Sequence, residues 1–545
     1  HLSYWPTEWR SATIFSLIKG GIRNAWDPYD YRGISIVDTV GKFLEKLVYN
    51  RLKIVCLPQI SEVQSGGLAR NGSVQQVIRV VEEVDKLLNV TDFNEQGAEL
   101  PVNSVVLALL DCSKAFDRMF RPLLLRKLRD MGVCDRLFTF ISAYFYRRRQ
   151  RVKVGSNFSD YVETPLGGPQ GSVITLLAWI IYINDLSVVI CGSDCGLFVD
   201  DVSIWLGSKD DRDVISRLNA ELERIYSWAC LNKVVFDFKK FHLLDMGGRL
   251  QSESKVAVRY GTGTPGWTDS AKYLGVLLDN NLDFLPMINE VFAKLNRSSW
   301  RVFNHSNINT GVSPRTLEII FSSWLFPVIE YGSVIWIFRI KKHFHYSYPI
   351  LSCYKKIFTR LEVLYNNIAK AILGVDKSAS NNATLVRLGW MPLDYRLAYR
   401  ACIWYMKIRL GLAGLALTNQ YARLSHISND EAWAKSGFYR PAHDFIKRLD
   451  PSLLTLTSID EFRSTLRDCI FDELTQRWGN CPHARICHII HPRWEFGNWS
   501  RLIFSRQTIS SYHQIAVGRG KFGDRFKYSK DKRSCNPNCK FGCSV

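Results

Sequence analysis

The sequence predicts an α+β protein of several lobes, with a small antiparallel sheet backed by helices and a mostly helical C-terminal region. Three observations carry that reading. The runs SVVLALLD (Ser104–Asp111) and CGLFVDDVSIWL (Cys195–Leu206) are short, rich in apolar residues and bounded by turn formers, as strands are. Helical apolar spacing fills much of the chain around them and dominates from beyond Lys272 to about residue 480. At 545 residues the chain is too long for one hydrophobic core, and 47% hydrophobic with 22% charged residues describes folded lobes.

Taken in order, the chain opens with WRSATIFSLIKGG and then YRGISIVDTVGKFLEKLVYNRL. Val40, Phe43, Leu44, Leu47 and Val48 in the latter have the spacing of an amphipathic helix. A second helix is expected from Ser73, read as its N-cap, with Val74, Val77, Ile78, Val81, Val84 and Leu88 on one face. Ser104–Asp111 follows as a buried strand that delivers a carboxylate at its C-terminal end. Pro122 and Gly132 bracket the next helix in start-and-stop order. The stretch YFYRRRQRVKV (Tyr144–Val154) interleaves aromatics with Arg147, Arg148, Arg149, Arg151 and Lys153. It reads equally as a surface that tracks a nucleic-acid backbone or as the end of an amphipathic helix. A loop, Leu166–Ser172, leads into SVITLLAWIIYIND, expected to be a buried helix. CGLFVDDVSIWL then makes two strands around a tight turn, with Asp200 and Asp201 at its tip.

The apolar stretch Ile320–Phe338 is long enough to cross a membrane, but Pro327, Glu330 and Gly332 interrupt it. A buried helix and turn is expected instead, and no membrane partner. The 71 Lys+Arg against 51 Asp+Glu leave a formal charge of +20, which favours a polyanion. Nucleic acid is the first candidate; an anionic membrane surface is the rival that charge alone does not separate. The fourteen cysteines are mostly scattered, without a short-spaced disulfide framework or a signal peptide, which predicts a reducing, intracellular setting. The start at His1 and the stop inside a Cys-rich stretch suggest a piece of a longer polyprotein or reading frame.

The chemistry gathers at Asp111 and the Asp200–Asp201 pair. Strand ends that aim carboxylates at one place need a compensating charge, and Mg²⁺ supplies it, taking oxygen ligands from one or two carboxylates and from substrate phosphates. Acids are also common in polar turns, so the hairpin alone would not carry this reading.

The segments around these acids resemble, in order, the reverse transcriptases of non-LTR retrotransposons of the jockey-like and related lineages. LDCSKAFDRM is similar to the family's first palm motif, GGPQGS to its PQGS loop and FVDD to its metal-binding hairpin, usually F-A-D-D. WACLNKVVFDFKK and KYLGVLLD are similar to the two motifs that follow. Upstream, YRGIS resembles Y-R-P-I-S; downstream, VIEYGSVIW and LYNNIAKAILGV…LGWMPL resemble stretches after the thumb. The match runs from about Trp9 to beyond Pro392.

The resemblance implies an α+β right-hand polymerase: fingers at 1–103, palm with the catalytic motifs at 104–284, thumb at 285–380, a helical region at 381–500 and a basic tail at 501–545. It implies two Mg²⁺ ions on Asp111, Asp200 and Asp201, with the Cys112 carbonyl nearby. Phe116 would lie beneath the incoming sugar and exclude a 2′-hydroxyl. Pro169, Gln170, Gly171 and Ser172 would line the pocket where template base and nucleotide pair. Lys240 would protonate the leaving pyrophosphate, with Lys239 as the alternative one residue away. Arg32, and secondarily Lys19, would grip the triphosphate. Implied partners are the element's RNA as template, a nicked DNA end as primer and target, and dNTPs, with action in the nucleus; no protein partner is assigned.

Four departures from the family stand out. Gly33 replaces a Pro, Gly168 a Val, Thr175–Leu176 a Gly-Pro, and Val199 an Ala; none removes a metal ligand. Cys535, Cys539 and Cys543 look like the first half of the family's Cys/His knuckle, and Cys481, His483, Cys487, His488 and His491 are irregularly spaced, so no zinc is expected. Two other readings stand beside the polymerase: a decayed or domesticated RNA-binding copy, and a group II intron maturase-type enzyme, which the thumb and tail segments disfavour.

Overall fold

The central sheet has four antiparallel strands, and Ser104–Asp111 within it is covered on both faces. The computed structural model describes residues 5–18, 26–27, 30–89, 91–93, 99–101, 104–307, 311–344, 351–426 and 436–479. Its first strands are β1 (Ser11–Ile18) and β2 (Tyr31–Ile36), followed by helices α1 (Thr39–Cys56) and α2 (Ser73–Leu88). Strand β3 (Ser104–Asp111) leads through a short turn of helix, α3 (Ala115–Arg118), to α4 (Arg121–Asp130), α5 (Asp135–Phe145) and strand β4 (Arg149–Val154). Helix α6 (Val173–Ile183), the hairpin β5 (Asp194–Phe198) and β6 (Asp201–Ser208), helix α7 (Asp211–Leu231) and strand β7 (His242–Met246) complete this part.

The strand order is β7-β3-β6-β5, every pair antiparallel. Along β3, Val105, Leu107 and Leu109 enter one core with Val77, Val81 and Val84 of α2 and with Trp205. Val106, Ala108 and Leu110 enter the other, with Leu124 and Leu128 of α4, Ile181 of α6 and Leu222 of α7. Successive strand residues point to opposite faces, so a strand that faces two cores must be apolar throughout. That is why SVVLALLD lacks alternation until Asp111, where the strand leaves the core.

A second sheet, β2-β1-β4 and two short strands, has β1 antiparallel to β2 and parallel to β4. It stands open to solvent: Leu17, Ile34, Ile36 and Val154 are exposed. Beyond it, a two-stranded ribbon (Ser270–Tyr273 and Val276–Asp279) leads to α8 (Leu285–His305) and a stack of helices that ends with Ile459–Gly479. Their apolar faces join the α2 side of the sheet in one core, which includes Leu295, Trp336, Tyr365, Leu397 and Trp478.

Several sequence expectations are corrected. In α1 the buried residues are Gly41, Glu45, Val48, Leu52 and Cys56, while Val40, Phe43 and Leu47 are exposed. The helix turns its i, i+4 face toward α5 and α6, where Glu45 meets the Tyr144 hydroxyl at 3.0 Å. Ser73 does not cap α2; Gly72 holds that position, and the Ser73 hydroxyl accepts a bond from Tyr331 at 3.0 Å. The YFYRRRQRVKV stretch ends one helix at Phe145 and then becomes strand β4, so its basic half is extended.

Among the described residues no single helix is long and apolar enough to cross a membrane. Pro314–Glu330 and Ser333–Arg339 would qualify only as a pair bent by 61°. Their side chains Phe321, Leu325, Ile329 and Trp336 are buried in the core, and Glu330 is paired with Arg400. Lys19, both Cys-containing clusters after residue 480 and the basic tail lie outside the described residues.

Candidate active site

Asp111 ends β3, and Asp201 opens β6 directly opposite it in the antiparallel register. Such partners have Cβ atoms roughly 5 Å apart on one face. Asp200 sits in the intervening turn, so three carboxylates share the end of one sheet. Burial pushes Asp201 up to about 7, and the charges of Asp200 and Asp111 push the same way. Asp200 is also raised, chiefly by burial and then by Asp111, while its own backbone amide and the Arg32 charge pull it down. Lys240 Nζ lies 3.3 Å from Asp111 Oδ2 and 3.8 Å from Asp237 Oδ2, which sets a cation beside the first of these carboxylates. Of the two adjacent lysines, Lys240 reaches this cluster. Burial and the surrounding carboxylates raise the Cys112 thiol, so it stays protonated, and its backbone bridges to Phe236.

Mutually repelling carboxylates that Lys240 and Arg32 compensate only in part are what a divalent cation answers. Among the described residues no three His, Cys, Asp or Glu side chains form a cage that could hold a metal ion. A site that draws part of its coordination from substrate phosphates does not need one.

The turn between β5 and β6 is strained and braced. Val199 has φ +60°, a left-handed conformation that a β-branched residue adopts only under constraint. Three neighbours supply it. The Val199 amide donates to Gln64 Oε1 at 3.1 Å, Trp179 Nε1 donates to the Val199 carbonyl at 2.8 Å, and the Leu197 amide donates to the Val63 carbonyl at 3.0 Å. A Cβ on Gly66 would lie 2.4 Å from the Val199 nitrogen, so only glycine lets this brace close.

Phe116, in α3, is half-buried, with its ring 6.1 Å from that of Trp179. Its carbonyl accepts from the Gly168 amide at 3.0 Å, which ties α3 to the loop leading into Pro169–Ser172. In that loop the Gln170 side chain donates to both oxygens of Asp117, at 3.1 and 3.2 Å, and the Gln170 carbonyl accepts from the Ser35 amide at 2.9 Å. Gly171 has φ +113°. Ser172 is buried and caps α6 through bonds from the Ile174 and Thr175 amides, and its hydroxyl lies 2.8 Å from that of Tyr144. Arg32 is exposed on β2, opposite Leu17 and near enough to Asp200 to favour its ionised form.

The structure thus gathers Asp111, Asp200, Asp201, Lys240 and Cys112 at one sheet end, with Phe116 and the Pro169–Ser172 loop on the neighbouring turn. Lys19 is outside the described residues. Sequence reading missed Gln64, Gly66 and Trp179, which brace the Val199 turn, Asp117 and Asp237, which hold Gln170 and Lys240, and Arg121, which holds the loop. Asp117 and Asp237 sit inside the quoted motifs and carried a signal; Gln64 carried none.

On the open sheet, Arg149, Arg151 and Lys153 each lie over an aromatic ring. Arg149 is 5.4 Å from Tyr161, Arg151 4.1 Å from Phe158, and Lys153 5.4 Å from Phe15. Register places Arg151 beside Thr13 and Ile36, and Lys153 beside Phe15 and Ile34, on the face that also carries Arg32.

Residues 19–278 match the family model described as reverse transcriptase (RNA-dependent DNA polymerase). The chain is 26% identical over 385 residues to a probable RNA-directed DNA polymerase from transposon X-element of Drosophila melanogaster, covering 69% of this chain and 39% of that protein. It is 25% identical over 361 residues to the RNA-directed DNA polymerase from mobile element jockey of the same organism, covering 63% and 37%. The chain therefore spans about two fifths of the length of these relatives. Among solved structures, telomerase from Candida tropicalis in complex with a telomeric RNA fragment aligns with 72% of this chain and 64% of its own, at 10% identity and a TM-score of 0.34.

Proposed function

We propose that this chain is an RNA-directed DNA polymerase that adds dNTPs to a primer 3′-hydroxyl, because residues 19–278 match the reverse transcriptase model and the chain is similar to the polymerases of the X-element and jockey retrotransposons. The observation that carries the proposal is the convergence of Asp111, Asp200 and Asp201 at one sheet end. In this reading residues 1–103 are fingers, 104–284 palm and 285–380 thumb. The template is the element's own RNA, the primer is a nicked DNA end, and the reaction takes place in the nucleus.

Two Mg²⁺ ions, when bound, lower the barrier by activating the attacking hydroxyl and stabilising the leaving pyrophosphate. Asp111, Asp200 and Asp201 would hold them, and the raised proton affinity of Asp201 means that a cation there competes with a proton. Arg32, on the sheet face beside the turn, draws the triphosphate toward Asp200. Lys240 Nζ, already at 3.3 Å from Asp111, sits where it can deliver a proton to the departing pyrophosphate oxygen. Phe116 closes the space beneath the sugar. Catalysis here is positioning and charge neutralisation. The cations on β4 and their rings support binding of single-stranded RNA by backbone contact and stacking.

Primer extension on an RNA template tests this. Asp111→Asn and Asp200→Asn are expected to abolish extension while leaving RNA affinity nearly intact, because affinity comes from the distributed +20 charge. Extension by either variant at the unsubstituted rate would remove these acids from the metal site. No extension by the unsubstituted chain, with RNA binding kept, would favour the decayed, RNA-binding reading.

A further inference from the structure

Arg121 begins α4 with its side chain turned inward and only 8% exposed. Its Nε donates to the Gly167 carbonyl at 2.8 Å and its Nη1 to the Phe145 carbonyl at 2.9 Å. Its Nη2 donates to the Leu166 carbonyl at 2.8 Å and to Thr164 Oγ1 at 3.3 Å. Three of these four acceptors lie on the loop that enters Pro169–Ser172, and the fourth ends α5. A buried cation is expensive unless its donors are matched, and here the planar fork is spent on one short loop. Burial, and then the neighbouring Arg148, lower Arg121 to about 10, which leaves it charged at neutral pH.

The same loop is fastened from its other side. The Gly167 amide donates to the Met119 carbonyl at 2.8 Å and the Gly168 amide to that of Phe116 at 3.0 Å. Gly167 has φ +67°, and a Cβ there would lie 2.5 Å from the Phe116 oxygen. Loop and α3 are therefore in backbone contact, with no room to slide. A cavity of about 240 Å³ lies alongside, lined by Arg121, Arg148, Thr164 and Pro169 among others, so the loop is not held by packing on that side.

We infer that Arg121 is a positioning residue for the nucleotide pocket: it fixes Thr164–Gly168 so that Pro169 and Gln170 stand at a set distance from Phe116. The inference rests on the polymerase reading for its consequence, since a displaced loop would loosen the fit of the incoming nucleotide without touching the metal ligands.

The test uses the full chain with Arg121→Met, which keeps length and removes every donor, and Arg121→Lys, which keeps the charge and some of the bonds. Amide hydrogen exchange at Gly167 and Gly168 should quicken by about tenfold or more in Arg121→Met, with Leu107 and Leu109 of β3 still protected, and by less in Arg121→Lys. KM for dNTP should rise about tenfold in Arg121→Met with kcat within about twofold, and Arg121→Lys should recover part of it. Unchanged loop exchange overturns the clamp. Faster loop exchange with an unchanged KM, or a lower melting temperature alone, reduces Arg121 to packing. No extension by the unsubstituted chain overturns the polymerase reading instead, and loop exchange then decides the clamp by itself. If Arg121→Met does not fold, Arg121→Lys is read on the same two measurements.

Discussion

A Cβ placed on Gly168 would lie 2.6 Å from Thr175 Oγ1 and 2.7 Å from Thr175 Cγ2. These are two of the positions where the chain departs from the reverse transcriptases it resembles, which usually have Val at the first and Gly at the second. The structure makes them one exchange of volume: the threonine side chain fills the space that a larger residue at 168 would need. Gly168→Val alone should therefore overpack a buried site and cost about 1–3 kcal/mol. Combined with Thr175→Gly it should cost less than the two single changes summed, with a coupling of at least about 1 kcal/mol. Denaturant melts of the four chains measure this; strictly additive costs would separate the two positions. Phe116 invites a different measurement, because its ring is only half-buried beside Trp179. As a steric gate it responds to volume, so Phe116→Ala should raise ribonucleotide incorporation relative to deoxyribonucleotide, and Phe116→Tyr should leave the ratio nearly unchanged. Wild-type selectivity in a destabilised Phe116→Ala would make the ring a core residue.

Strand β4 and the β5–β6 hairpin show what a sequence discloses about an element. The hairpin was legible because its strands are apolar and its acids sit together at the tip; β3 was legible because a strand covered on both faces has no polar positions until its end. Helix α1 was misread for the opposite reason. Val40, Phe43 and Leu47 have helical spacing, yet the buried stripe runs through Gly41, Glu45 and Val48, and Glu45 is inside because Tyr144 meets it there. Periodicity counts apolar residues and does not see a polar one with a buried partner. The brace at Val199 was equally hidden, since Gln64 and Trp179 reach it only through tertiary contact. For Tyr144–Val154 the sequence left a nucleic-acid-tracking surface and a helix end level, and the fold makes its basic half the strand β4, which brings alternate cations to one face. Replacing Arg151 and Lys153 together by Ala should lower affinity for single-stranded RNA and flatten its dependence on log salt by about 1.4, given roughly 0.7 per single-strand phosphate contact. An unchanged slope would take β4 out of the RNA path.

Across the whole molecule, α2 is the shared wall between the four-stranded sheet and the C-terminal helices, and several of its polar residues are buried. Arg339 bonds Asp85 through both guanidinium nitrogens, one at 3.1 Å, and lies 3.8 Å from Glu82. The Ser436 hydroxyl donates to Glu82 Oε2 at 2.7 Å. Burial first, and then Asp85, push Glu82 up to about 7, against the pull of Arg339 and Ser436. The folded chain therefore keeps this proton at a pH where the unfolded chain, with a carboxyl near 4.5, has lost it. The contribution to stability declines as pH rises from about 4.5 to about 7, and the penalty above that is on the order of 3 kcal/mol. Glu82→Gln should melt higher than the unsubstituted chain at pH 8 and nearly the same at pH 5. An equal difference at both values would mean that Glu82 is ionised in the fold throughout.

The two-faced strand β3 also has a consequence in time. The chain is made from its N-terminus, so the catalytic sheet is complete when Met246 has been added, while Trp478, which closes the core on its α2 face, comes more than two hundred residues later. At ~5–20 residues per second that interval is roughly 12–46 s. During it the nascent sheet carries Trp205 and the odd-numbered residues of β3 on an apolar face whose cover beyond α2 is still incomplete. An aggregation-prone half-molecule on the ribosome is the cost of building the catalytic centre first and its cover last.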